Sequence, residues 1–173
     1  MQIAFLADHP EYIDQLAGWF SENWGDEEGG RTKDEWRSRL LQHLNTKSIP
    51  LTLIALKNKK CVGTGSLVFH DLPSHNHLSP WLSGVYVPPE YRNKGIGTYL
   101  VKTLIRKAKE LGCTKLYSYQ YEALARDMKK RYQFLGLNMV DKIILKDSPI
   151  LIMEIDPSAL SGHLSGNESI KTV

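Results

Sequence analysis

Val85-Tyr86-Val87-Pro88-Pro89-Glu90-Tyr91-Arg92-Asn93-Lys94-Gly95-Ile96-Gly97-Thr98 is the stretch whose reading decides the fold. It reads as a strand, a proline-marked break, a basic glycine-containing turn and the start of an amphipathic helix. Such a loop gathers several backbone N–H groups at a helix N-terminus, where the dipole also favours negative charge. Arg92 and Lys94 add full charges, and Gly95 and Gly97 let a ligand approach the backbone with no Cβ in the way. The pattern is that of a phosphate cradle. A P-loop is excluded, because Ile96 rather than Lys follows Gly95. A dinucleotide fingerprint is excluded, because Leu100 stands where its third glycine belongs.

The elements around the loop follow from periodicity. Gln2 to Ala7 reads as a short strand. Asp8 is placed to cap the next helix, with Pro10 in its first turn, and Tyr12, Ile13, Leu16, Ala17 and Phe20 recur at helical spacing. Trp24 to Gly30 reads as a loop. Thr32 and Glu35 form a capping-box pattern, opening a second helix whose buried stripe would be Trp36, Leu40, Leu41 and Leu44. Leu51 to Leu56 and Val62 to Phe69 are β-compatible runs joined by a hairpin turn at Lys57-Asn58-Lys59-Lys60. Asp71 to Ser79 is a polar loop, and Trp81 to Val87 returns as a strand.

Ile96, Leu100, Val101, Leu104, Ile105, Ala108 and Leu111 then make one apolar helix face, stopped by Gly112. Leu116 to Tyr119 is a strand and Ala123 to Leu135 a helix closed by Gly136. Met139 to Leu145 and Ile150 to Ile155 are final strands about an Asp147-Ser148-Pro149 turn. One domain over residues 1–156 is expected, with a polar tail over 157–173.

Arg92-x-x-Gly95-x-Gly97, preceded by Val85-x-Val87-x-Pro89-x-x-Arg92, resembles the acyl-coenzyme A pyrophosphate loop of the GNAT superfamily of N-acetyltransferases. The segment Arg131-Tyr132-Gln133-Phe134-Leu135-Gly136-Leu137 is similar to that family's "(F/Y)-Y-x-x-L-G-(F/W)" segment. Leu137 and Arg131 depart from it, and Ala125 stands where many members carry an Asn that contacts the coenzyme. The resemblance spans about residues 2–156. It implies an α+β, three-layer α/β/α fold: a mixed, mostly antiparallel sheet of about seven strands flanked by four helices.

The resemblance also implies a chemistry: an acetyl group passes from acetyl-coenzyme A to an amine of a small molecule or peptide by direct attack in a ternary complex. The pyrophosphate would lie on Asn93, Lys94, Gly95, Ile96, Gly97 and Thr98, with Arg92 nearby. The pantetheine arm would pair with the edge of Val85, Tyr86 and Val87 as an added strand does. Tyr132 matches the family's general acid, which returns a proton to the leaving thiolate. Asp71, on a loop bordering the acceptor side, is the candidate base; the same residue type also caps turns. Asp26-Glu27-Glu28 could attract a cationic amine or be a solvated loop. Lys129-Lys130-Arg131 could meet the coenzyme's 3′-phosphate or favour a helix C-terminus. Glu90 reads as a turn residue, and Trp81 as core before pocket wall.

Composition sets the remaining bounds. The chain has 173 residues, a net charge of +3 and two cysteines, Cys61 and Cys113. One sizeable core fits that length. No disulfide framework or metal spacing is present in the sequence, and His70, His75 and His77 read as solvated loop histidines, so no metal is expected. The mild charge excess, without an aromatic-interleaved basic patch, argues against a nucleic-acid partner. With no signal-peptide or membrane-spanning run in the sequence, a cytoplasmic location is expected. A homodimer fits the resemblance. The competing reading is a non-catalytic acyl-coenzyme A-binding module that regulates a partner, which would not need Tyr132.

Overall fold

The computed structural model describes residues 1–25, 30–124 and 137–160. Its strands are β1 (Gln2–Phe5), β2 (Leu51–Lys57), β3 (Lys60–Val68), β4 (Trp81–Tyr86), β5 (Leu116–Tyr121), β6 (Leu137–Leu145) and β7 (Ser148–Ile155). Its helices, among the described residues, are α1 (Ile13–Trp24), α2 (Lys33–Leu41) and α3 (Ile96–Glu110). The seven strands form one mixed sheet in the order β1-β2-β3-β4-β5-β7-β6. All neighbours are antiparallel except β4 and β5. The fourth expected helix lies almost wholly outside the described residues.

Strand alternation distributes the core to two faces. Leu51, Leu53 and Ala55 of β2 face α3, whose Ile96, Leu100, Val101, Leu104, Ile105 and Ala108 complete that layer. Ile54 of β2 faces the other way, onto Ile13, Leu16, Ala17 and Phe20 of α1 and Leu40 of α2. A third cluster joins Trp81, Tyr117, Ile150 and Ile152 under the far half of the sheet. Trp81 is fully buried, as its sequence position suggests, and its indole N–H donates to the Leu78 carbonyl at 2.7 Å.

α3 lies close to the sheet because β3 presents glycine beneath it. A Cβ on Gly63 would stand 3.1 Å from both Ile96 Cγ2 and Leu100 Cδ1. A Cβ on Gly65 would stand 2.8 Å from Leu104 Cδ1 and 3.3 Å from Val85 Cγ2. These two positions set the height of α3, and so of the loop that starts it.

Several expectations need correction. Asp8 does not cap α1: two short 3₁₀ turns, Leu6–Asp8 and Pro10–Tyr12, take up the residues of the expected first turn. The N-cap of α1 is Tyr12, with no side-chain cap bond. The Thr32/Glu35 capping box forms as read, but α2 stops at Leu41, whose side chain is exposed. The β2–β3 turn falls on Asn58 and Lys59, both at positive φ, as the hairpin reading requires. The β6–β7 turn is displaced to Lys146 and Asp147, also at positive φ. Pro149 lies inside β7, one step beyond its last pairing with β5 at Tyr121–Ile150, where no ladder donor is missed.

Candidate functional site

Two halves of the sheet meet at one point. Trp81 of β4 and Tyr117 of β5 are the only register pair recorded between them, reinforced by a bond from the Tyr117 N–H to the Pro80 carbonyl at 2.9 Å. Beyond it the strands part. From Leu82 to Tyr86, β4 pairs with β3 alone. A cavity of about 340 Å³ opens in the split, walled by Ser83, Gly84 and Val85 on one side and by Ser118, Tyr119, Gln120 and Tyr121 on the other.

The unpaired edge is also bent. Thr64 pairs with Tyr86 while Ser66 pairs with Ser83, so β4 takes three steps where β3 takes two. Gly84 carries the bulge at φ +59°, and a Cβ there would press to 3.3 Å from the Phe20 ring. Bulges of this kind turn backbone groups toward a site. Sequence reading missed Gly84; a lone glycine inside a strand pattern is the signal that points to it.

β4 runs out into the glycine loop. The N–H groups of Tyr91 and Arg92 donate to the carbonyls of Pro88 and Pro89 at 2.9 and 3.1 Å, which winds the loop into a turn. Asn93 (φ 60°) and Gly95 (φ 79°) then take left-handed conformations that reverse the chain into α3. The first helical bond runs from the Tyr99 N–H to the Gly95 carbonyl. The N–H groups of Ile96, Gly97 and Thr98 thus precede the ladder and face outward at the positive end of the dipole. A Cβ on Gly95 would meet nothing within 4 Å, so glycine is required there by its backbone angle.

Arg92 and Lys94 brace this loop as well as charging it. The Arg92 Nε–H donates to the Val87 carbonyl at 2.9 Å, and its guanidinium lies 5.9 Å from the centre of the Tyr86 ring. Lys94 donates to the Glu90 carbonyl at 2.8 Å. Glu90 is an exposed turn residue, as read.

Asp71 also lines the cavity, and its carboxylate accepts from the Ser83 hydroxyl at 2.8 Å. The bond crosses to the bulged strand; it is not made within the Asp71 turn. Burial holds the Asp71 carboxyl above its ordinary pKa, against the opposing pull of the Ser83 bond and the Arg39 and Arg31 charges. Arg39 reaches in from α2, donating to the His70 carbonyl at 3.2 Å, and burial lowers its own pKa. Arg31 lies 5.1 Å over the Trp36 ring. Phe20 and Trp24 of α1 and Trp36 of α2 complete this wall. Arg31, Arg39 and Ser83 were not singled out from sequence.

The structure therefore brings Val85, Tyr86 and the 93–98 turn into one continuous track, with Asp71 bonded to Ser83 of the same strand. Tyr132, Ala125, Asp26-Glu27-Glu28 and Lys129-Lys130-Arg131 lie outside the described residues. His75 is buried rather than solvated: it bonds Asp141 at 3.0 Å and Ser74 at 2.9 Å and packs against His77. Among the described residues no group of three His, Cys, Asp or Glu side chains is placed to hold a metal ion. No helix among them is long and apolar enough to cross a membrane.

Known proteins can now be set beside this geometry. No curated protein matches the chain. Solved structures do match in fold. An aminoglycoside 6′-N-acetyltransferase complexed with coenzyme A aligns at TM-score 0.66 and 18% identity, over 91% of this chain and 97% of that one. An N-acetyltransferase from Staphylococcus aureus Mu50 aligns at TM-score 0.69 and 16% identity, over 90% and 98%. A ribosomal-protein-alanine N-acetyltransferase from Brucella melitensis aligns at TM-score 0.67 and 23% identity, over 90% and 99%. Identities this low carry the fold alone. The model of the acetyltransferase (GNAT) family matches residues 11–136, which include the split in the sheet, the glycine loop and α3, and the chain belongs to that family.

Proposed function

We propose that the protein is an N-acetyltransferase that moves an acetyl group from acetyl-coenzyme A to a primary amine of a small molecule or peptide. The observation that carries this reading is the β4 edge, unpaired from Leu82 onward and leading straight to the free N–H groups at the start of α3. A pyrophosphate suits the helix end, where partial positive charge and open backbone coincide. An amide-bearing arm suits the edge, whose backbone donors and acceptors need partners. The coenzyme supplies an activated thioester.

The chain's own groups supply the rest. Asp71 takes a proton from the acceptor ammonium, directly or through water. The freed amine nitrogen forms a bond to the acetyl carbonyl carbon. A β4 backbone N–H at the bulge holds the oxygen as it gains negative charge. The C–S bond breaks, and Tyr132 donates its phenolic proton to the thiolate. No covalent enzyme intermediate is needed. Cys61 is buried, and burial raises its thiol to a pKa of about 12, so it is unsuited to nucleophilic attack.

Calorimetric titration with acetyl-coenzyme A and dephospho-coenzyme A, followed by thiol-release assays with amines, tests the reading. Coenzyme binding with turnover supports it. Coenzyme binding in a protein inert to every amine, and unaffected by Tyr132→Phe, favours the regulatory binding module. No coenzyme binding sinks both.

A further inference from the structure

The described wall of the acceptor cavity holds two guanidinium groups and one carboxylate. Arg31 and Arg39 line it together with Asp71. Neither arginine forms an ion pair among the described residues. Burial, and after it the nearby Arg31 charge, lower the pKa of Arg39. Two like charges that share one described carboxylate, Asp71, leave a net positive charge on this wall that is costly to maintain. An anionic group from a ligand would relieve that cost, and a planar carboxylate matches the guanidinium fork. Beside them, the Trp36 indole N–H is buried with no acceptor among the described residues. The surrounding wall is aromatic: Phe20, Trp24, Trp36 and Tyr119 line the same cavity.

Resting on the acetyltransfer reading above, we infer that the acceptor is a small amine that also carries a carboxylate on an apolar, aromatic body. The carboxylate pairs with Arg31 and Arg39. The body lies among the aromatic rings. The amine is left toward Asp71 and the bulged edge, where the acetyl group arrives. An aromatic amino acid has all three parts within one small frame. A polycationic acceptor would bring its charges against the two arginines and meet one described carboxylate in return.

Matched acceptors test this with the full chain and acetyl-coenzyme A. Phenylalanine is compared with phenethylamine, and tryptophan with tryptamine, by kcat/KM for thiol release, with kanamycin as the polycation. Each acid is expected to exceed its decarboxylated partner by about tenfold or more, the usual weight of a charged hydrogen bond. Arg39→Gln should collapse that ratio by about the same factor. Because Arg39 also ties α2 to the His70 carbonyl, Arg31→Gln serves as the second variant and should act in the same direction.

The inference is overturned if the decarboxylated amines or kanamycin are preferred, or if the ratio survives both variants. It is also overturned if acetyl-coenzyme A binds and none of the acids is acetylated; the donor-site reading then stands. If acetyl-coenzyme A does not bind at all, the acetyltransfer reading falls and the inference falls with it.

Discussion

Ser83 and Asp71 are joined by a 2.8 Å hydrogen bond that links the bulged, open strand to the 70–73 loop. Through it, the segment that would hold the acetyl donor and the group that would receive the amine's proton share one contact. Removing the carboxylate isolates its role. Asp71→Asn should lower kcat by about 10²–10⁴-fold, the ordinary worth of a general base. Acetyl-coenzyme A affinity, measured by calorimetry, should not change. A variant with full turnover would remove Asp71 from the mechanism.

The same bond sets a pH dependence. Asp71 accepts a proton only when ionised, so activity should rise with pH through its pKa. Burial raises that pKa, and the Ser83 bond pulls it down. The acid limb of kcat/KM should therefore lie above the usual carboxylate value. Ser83→Ala should shift it to higher pH. An acid limb that stays in place in Ser83→Ala contradicts the assignment.

Asp71 should also cost stability. Its carboxyl binds a proton more tightly in the folded than in the unfolded chain. Its favourable contribution is thus complete below the unfolded pKa and is lost as pH rises through the folded one. At neutral pH Asp71→Asn should melt higher than the parent while working worse. A lower Tm for the variant would count against a strained, buried carboxylate.

His43 has the opposite sign. It is buried against the Thr52 hydroxyl at 3.0 Å, and burial lowers its pKa from 6.5 to about 4. The unfolded chain takes up a proton that the folded one refuses. Stability should fall as pH drops from about 6.5 toward about 4. His43→Gln should flatten that part of the Tm–pH curve, whatever it does to Tm at neutral pH.

Two glycines separate backbone strain from crowding. Gly95→Ala places a Cβ in open space at φ +79°. It should cost about 1–2 kcal/mol, and Gly95→Asn should cost less, since Asn enters the left-handed region more readily. Gly65→Ala has a backbone any residue can adopt, but its Cβ would stand 2.8 Å from the buried Leu104. Overpacking should cost about 1–3 kcal/mol. It should also weaken acetyl-coenzyme A binding, because Val85 is the next atom group in the way. Urea denaturation and calorimetry on both variants separate the two effects.

The parts legible in the sequence are those whose signal is local. The glycine turn, the apolar face of α3, the Thr32/Glu35 cap and the Asn58-Lys59 hairpin each rest on residues within one or two turns of chain. The cavity in the split does not. No local pattern marks Arg31, Arg39 or Ser83. They become a site only because the sheet folds α2, the 70–73 loop and β4 against one another. The need for glycine at positions 63 and 65 shows only once α3 is packed against them. The first turn of α1 was misplaced because Pro10 suits a 3₁₀ turn as readily as an α-helix N-terminus, and nothing nearby decides between them.

The parting of β4 from β5 has a cost that most sheets avoid. It leaves an unpaired strand edge, and where such edges are exposed they invite pairing with strands of other molecules, the first step toward aggregation. Here the edge lies inside the molecule, between two walls, instead of at its rim. The Gly84 bulge interrupts it within a few residues of Trp81. A foreign β-strand, bound to a strict two-residue repeat, loses register at that bulge. A slender, flexible chain with widely spaced amides has no such repeat to keep. Under the proposed function, the irregularity that weakens β4 as a strand would thus act as a filter, admitting a thin partner and turning a polypeptide away.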